Sequence, residues 1–267
     1  MATVAWIAFT PVKGLRLHQV DEVELAADGV PGDRAFFLVD SESRMVSSPR
    51  LGALVAVTAA CDPDRSLLRL TFPDGKEVAG EVVLGEPEAV GFRKHRLNVR
   101  PVLGAFSEAL SEHAGKALRL VASPPGRSAV DRGPGGTVTL LSLASLERLR
   151  EQAGVAAPVD QRRFRMTFGA DGLDPHGEDD WIGHVVRIGE ALVAITGNVG
   201  RCVLTTRNAD TGVVDFKTLH HLRAYRDGVE TSEALPFGVY GRVVAPGRVA
   251  VGGPIEPVRA PAGAGRR

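Results

Sequence analysis

At 267 residues, with 44% hydrophobic and 24% charged side chains, the chain has the length for one large or two modest domains and enough apolar material for a core. Thirty-two Lys and Arg against 32 Asp and Glu leave a formal net charge of +0, which withholds the bulk attraction behind sequence-independent nucleic-acid binding, so no nucleic-acid partner is expected. No run approaches the roughly 18 apolar residues of a membrane span, and Met1-Ala2-Thr3-Val4-Ala5-Trp6 lacks a signal peptide's basic region, so a cytoplasmic protein with no membrane association is expected.

Thirty-one Gly and 17 Pro with 5% aromatics predict many turns and short strands. Apolar runs at residues 4–9, 20–25, 36–39, 54–57, 67–72 and 82–84, each closed by Gly, Pro or Asp, predict strands, with Pro73-Asp74-Gly75-Lys76 as a hairpin-type turn. Leu103, Phe106, Ala109, Leu110 and His113 then repeat at helical spacing before Gly115, a common helix stop. A strand follows at 118–121. The Gly/Pro-rich stretch over 123–136 marks a domain boundary near residue 122.

The second half opens with a strand at 138–141 and a helix through Leu143, Leu146 and Leu149 that Ser142 is placed to cap. Strands are predicted at 163–168, 184–188 and 191–196, and a helix at 219–225. Residues 239–244 and 248–251, split by Pro246-Gly247, predict a closing hairpin. The expected organisation is a mainly β (α+β) chain: a β-barrel domain over 1–122, a second β-barrel-like domain with a few short helices over 123–257, and a mobile tail over 258–267.

The usual chemical devices are missing from the sequence. No phosphate-binding Gly-x-x-x-x-Gly-Lys-Ser/Thr loop, strand-to-helix dinucleotide glycine motif or Gly-x-Ser-x-Gly elbow occurs. Cys61 and Cys202 have no partner at zinc spacing, and a reducing compartment gives them no reason to form a disulfide. Cys202 paired with a distant histidine stays open as a nucleophile. Glu178, Asp179 and Asp180 are expected to be solvated in a Gly/Pro-flanked loop. Gly200-Arg201-Cys202-Val203-Leu204-Thr205-Thr206 is the distinctive run, since Arg201 places a fixed positive charge beside a thiol that can bind a soft metal as thiolate.

That run, with Arg163-Phe164-Arg165, Glu178-Asp179-x-Trp181 and Leu235-Pro236-Phe237-Gly238-Val239-Tyr240, resembles the MOSC domain, the molybdenum cofactor sulfurase C-terminal domain. Thr10-Pro11-Val12-Lys13-Gly14 and Gly32-Asp33-Arg34-Ala35-Phe36 resemble the β-barrel domain that precedes it in the branch containing the amidoxime-reducing enzymes. The resemblance spans about residues 3–255.

It implies an oxidoreductase with a molybdenum–pterin cofactor between the halves, Cys202 as metal ligand and catalytic residue, and N-hydroxylated or related N- or S-oxygenated small molecules as substrates. Lys13, Arg34 and Arg165 match positions that contact the pterin, and Arg201, Ser142 and Tyr240 are further candidate cofactor contacts. Thr167 is another; Met166-Thr167 departs from the Pro-Asn usual in the amidoxime-reducing branch. With no haem-attachment or cluster-type cysteine set here, electrons are expected from a separate haem, iron–sulfur or flavin protein. The alternative is a non-catalytic carrier of molybdenum cofactor or of sulfur.

Overall fold

The computed structural model describes residues 1–46, 52–92, 95–124 and 133–258. The tail from 259 and most of the Gly/Pro stretch, 125–132, lie outside the described residues. In chain order the strands of the first half are β1 (Ala2–Phe9), β2 (His18–Val20), β3 (Glu22–Leu25), β4 (Phe36–Val39), β5 (Thr58–Cys61), β6 (Leu67–Thr71), β7 (Glu77–Glu81), β8 (Glu88–Phe92) and β9 (His95–Pro101). Helix α1 (Phe106–Ala114) and β10 (Arg119–Ala122) complete it. The second half holds β11 (Val138–Ser142), α2 (Leu143–Ala153), β12 (Phe168–Asp171), β13 (Val185–Ile188), β14 (Ala191–Gly200), α3 (Thr218–Arg226), β15 (Pro236–Ala245), β16 (Gly247–Ala250) and β17 (Pro254–Pro257).

A closed seven-stranded barrel organises the second half, in the order β12-β11-β15-β14-β13-β17-β1, with β1 pairing back onto β12. Its β11–β12 pair is parallel. Parallel neighbours need a crossover, and α2 supplies it, capped by Ser142 and stopped by Gly154 in the left-handed conformation. The barrel fills with Val4, Ile7, Leu140, Phe168, Val193, Val239 and their neighbours. β1 bulges between Val4 and Trp6, and the Trp6 ring lies on Gly169, where a Cβ would stand 2.0 Å from it.

The first half assembles β4-β10-β9-β8 and the meander β5-β6-β7 around a core that includes Leu15, Phe36, Leu70, Leu110 and Leu120. Helix α1 lays Phe106, Ala109 and Leu110 on that core and ends at Gly115, φ 61°, as its spacing predicts. Among the described residues the chain is mainly β with three α-helices. The halves interleave: β1, from the chain's first residues, is a stave of the second half's barrel, and β3 pairs with β16.

Four expectations change. Residues 52–56 form a 3-10 turn in place of the strand at 54–57, which sends Leu54 and Val57 into one core where a strand's alternation would stagger them. Residues 163–168 are not a strand: Asp160 caps a 3-10 turn over Gln161–Phe164, Arg165 leaves it at φ 56°, and extended chain resumes at Phe168. The strand after the Pro73 turn is β7, ahead of 82–84. Pro246-Gly247 closes no hairpin, because β15 is already paired on both edges and β16 joins β3. The hairpin β8–β9 went unpredicted, since its charged, weakly alternating sequence lacks a strand's apolar rhythm. Among the described residues no helix is long and apolar enough to cross a membrane.

Candidate functional site

The two first-half motifs meet. Asp33, buried to 3% exposure, accepts the Thr10 N–H at 3.0 Å, while the N–H of Arg34 donates to the Thr10 carbonyl at 2.7 Å and that of Lys13 to Phe36 at 2.8 Å. The loop after β1 is thereby locked to the turn before β4. Lys13 Nζ sits over the Phe92 ring, 5.6 Å from its centroid. Arg34 is in the left-handed region, φ 50°, and its guanidinium pairs with Asp33 and donates to the Arg165 carbonyl at 3.1 Å.

Arg165 shares that strained conformation and donates from Nη2 to the Leu15 carbonyl at 2.7 Å. Burial first, and then the neighbouring Arg34 charge, push its pKa down to about 9. Arg34 is matched by Asp33, whereas Arg165 donates to a neutral carbonyl, so an anion reaching Arg165 would offset a charge that burial disfavours. The geometry suits a phosphate or carboxylate.

Arg201 has turned inward. Its guanidinium donates to the carbonyls of Phe237 (Nε, 2.8 Å) and Phe164 (Nη1, 3.0 Å) and to Met166 Sδ at 3.1 Å, with the Phe164 and Phe237 rings 5.2 and 5.9 Å away. It clamps the turn before Arg165 to the start of β15. Gly238, φ 80°, makes room for it, since a Cβ there would stand 2.7 Å from Met166 and 3.3 Å from Arg201 Nη2. Cys202 is exposed and opens the 3-10 turn Val203–Thr206, its carbonyl accepting from the backbone and hydroxyl of Thr205 at 3.2 and 3.0 Å. Cys61 is half-buried, and burial, followed by the Asp62 charge, raises its thiol pKa to about 11.

Leu204, two residues past Cys202, lines an open cleft together with Arg16, Arg162, Arg163, Arg165 and Arg207. The structure therefore brings Arg34, Arg165 and the Cys202 turn to one region, with Lys13 on the adjoining loop. Arg16 and Arg162 escaped the sequence reading; Asp210, which ties them together, reads there only as the turn Asp210-Thr211-Gly212, close enough to Cys202 to fix the loop's geometry. The run Arg162-Arg163-Phe164-Arg165 carried a trace of them, but the partner 48 residues on did not.

Three candidates have other partners. Ser142 is fully buried, its hydroxyl accepts from the Ala144 N–H at 3.1 Å and its own N–H donates to Glu178 at 3.2 Å. Thr167 faces Thr139 across the β11–β12 seam, hydroxyl to hydroxyl at 3.1 Å, with the Thr167 N–H donating to Thr139 Oγ1 at 2.8 Å. Tyr240 lies half-buried on β15, its ring against Gly197 of β14. The acidic loop also departs from expectation. Only Asp180 is exposed, whereas Glu178 is fully buried and Asp179 pairs with Arg226 at 2.5 Å and Asn198 at 2.7 Å, because the loop folds over the α2 N-terminus instead of into solvent. Among the described residues no three His, Cys, Asp or Glu side chains converge as metal ligands.

Family models described as MOSC domain and MOSC N-terminal beta barrel domain match residues 128–256 and 1–112. The chain is 28% identical to mitochondrial amidoxime-reducing component 1 of Xenopus laevis, covering 94% of this chain and 81% of that protein. It is 26% identical to the Homo sapiens protein of the same name, covering 96% and 82%. Among solved structures, the YuaD protein of Bacillus subtilis aligns over 96% of this chain and 94% of that one, with a TM-score of 0.44 and 11% identity.

Proposed function

Since the chain belongs to the MOSC-domain proteins that carry the MOSC N-terminal beta barrel domain, we propose that it is an oxidoreductase holding a molybdenum–pterin cofactor at the arginine-lined cleft beside the turn that Cys202 opens, and reducing N-hydroxylated or related N- or S-oxygenated small molecules. The observation that carries this reading is the exposed Cys202 thiol at the head of a turn whose Leu204 shares a cleft with Arg165 and four further arginines. The residues present fit the group. Its phosphate is an anion for the arginine-lined cleft that holds Arg165, and its metal needs one protein thiolate when its remaining ligands come with the pterin.

Cys202 Sγ would ligate the metal. Arg34 and Arg165 would hold the phosphate, with the Lys13 ammonium adding charge from the adjoining loop. Arg201 supports both sides without touching the ligand, since it fastens the Phe164–Met166 backbone to β15. When bound, the cofactor supplies the two-electron removal of oxygen from the substrate. Return of those electrons falls to a separate donor protein, because the chain has no cysteine set for a haem or a cluster.

The test is molybdenum per chain, by elemental mass spectrometry, in protein from a cofactor-competent host, beside Cys202→Ala. Near-stoichiometric metal that the variant loses, with turnover of an N-hydroxylated amidine by a reduced dye, is expected. Metal-free parent protein from a host whose other molybdoenzymes are loaded overturns the reading, and metal without turnover leaves the carrier.

A further inference from the structure

We propose that Asp210 is a positioning residue: by bridging Arg16 and Arg162, it sets the turn that Cys202 opens against the guanidinium of Arg165. This inference rests on the reading of Cys202 and Arg165 as cofactor contacts. The Asp210 carboxylate meets Arg162 in a two-pronged pair, Nη1 to Oδ1 at 2.8 Å and Nη2 to Oδ2 at 2.7 Å. Arg16 Nη2 approaches Oδ1 at 3.2 Å and donates to the Asp210 carbonyl at 3.3 Å.

Both arginines come from segments that frame Arg165. Arg162 lies in the turn that Arg165 terminates, and Arg16 follows Leu15, whose carbonyl accepts from Arg165. One carboxylate thus joins three segments, none of which pairs with another in a sheet: Leu15-Arg16, the Gln161–Phe164 turn, and the loop leaving Cys202. The rest of that loop is built to present it. Asn208 Oδ1 accepts the N–H groups of Asp210 and Thr211 at 2.9 and 3.1 Å. Gly212, φ 71°, then presses so closely on the first half that a Cβ would stand 1.9 Å from the Gly52 carbonyl.

Stability is a poor explanation for this arrangement. Forty-six per cent of the Asp210 side chain faces solvent, where ion pairs are screened and contribute little to folding. A two-pronged guanidinium–carboxylate pair still fixes direction, which a screened point charge does not. The cost of losing it should fall on where the Cys202 turn sits.

The test compares Asp210→Asn, Asp210→Glu, Arg162→Lys and Asp160→Asn in the full-length chain, reading amide hydrogen exchange over 202–208, molybdenum retained per chain, and melting temperature. In Asp210→Asn, exchange of the Thr205 and Arg207 amides should rise about tenfold, with a matching loss of retained metal and little change in melting temperature. Arg162→Lys keeps the charge, loses the fork and should do the same. Asp210→Glu keeps a two-oxygen acceptor and should restore both readouts; Asp160→Asn, which weakens the turn cap and the other carboxylate pair of Arg162 but leaves Asp210 charged, should move exchange over 202–208 less than Asp210→Asn does. Unchanged exchange in Asp210→Asn, or a rise spread over the whole chain with a fall in melting temperature, overturns the inference. A metal-free parent protein refutes the cofactor reading on its own, while the exchange comparison still decides whether Asp210 places the turn.

Discussion

The Ser145 hydroxyl donates to both carboxylate oxygens of Glu178, at 2.9 and 3.1 Å, and accepts the N–H of His176 at 2.9 Å. A fully buried acid and a histidine whose ring nitrogens are both shut away from solvent therefore share one oxygen at the first turn of α2. Burial dominates both. It raises Glu178 from 4.5 to about 7 against the pull of its hydrogen bonds, and lowers His176 from 6.5 to about 4, with Arg226 and Arg148 adding to the shift.

These shifts oppose each other in pH. Folded Glu178 keeps a proton that the unfolded chain releases above 4.5, so its contribution is present below 4.5 and lost as pH rises through 7. Folded His176 refuses a proton that the unfolded chain takes below 6.5, so its contribution is present above 6.5 and lost as pH falls through 4. Urea unfolding across pH 4.5–7 should accordingly show little net slope from this pair in the parent. Glu178→Gln should expose a stability that rises with pH, and His176→Phe one that falls. Parallel curves for all three chains would contradict the assignment.

Ser142 acts as a helix cap in this geometry. Ser142→Ala should cost about 1 kcal/mol of folding free energy, the usual loss for a missing N-cap, while molybdenum content stays at the parent's level. A drop in metal at unchanged stability would make Ser142 a cofactor contact.

Thr167 belongs to the barrel seam. Thr167→Val removes the acceptor of the Thr139 N–H and one of the two partners of the Thr139 hydroxyl, a loss of roughly 1–3 kcal/mol by urea unfolding. Thr167→Ser keeps the hydroxyl and should recover most of the loss, whereas Thr139→Val in the Thr167→Val chain should deepen it, because the N–H at position 167 then loses its acceptor. A Thr167→Val chain that is stable yet metal-poor would return Thr167 to the cofactor site.

Local chemistry decided what the sequence alone determined. Helices α1 and α2 follow from apolar spacing, with Gly115 at the end of the first and Ser142 at the start of the second, and the β6–β7 turn from Pro73-Asp74-Gly75, because each signal and its structural consequence lie within a few residues. The MOSC motifs were legible for the same reason, as short runs around Lys13, Arg34, Arg165 and Cys202. Tertiary structure decided everything that depends on a partner far along the chain. Periodicity says that a side chain is buried but not against what, so nothing near β16 marks it for β3, nothing near Thr167 marks Thr139, and nothing near Glu178 marks the first turn of α2. Asp210 is the sharpest case: in the sequence Asp-Thr-Gly reads as a turn, and only the folded chain brings Arg16, 194 residues away, and Arg162, 48 residues away, to the same carboxylate.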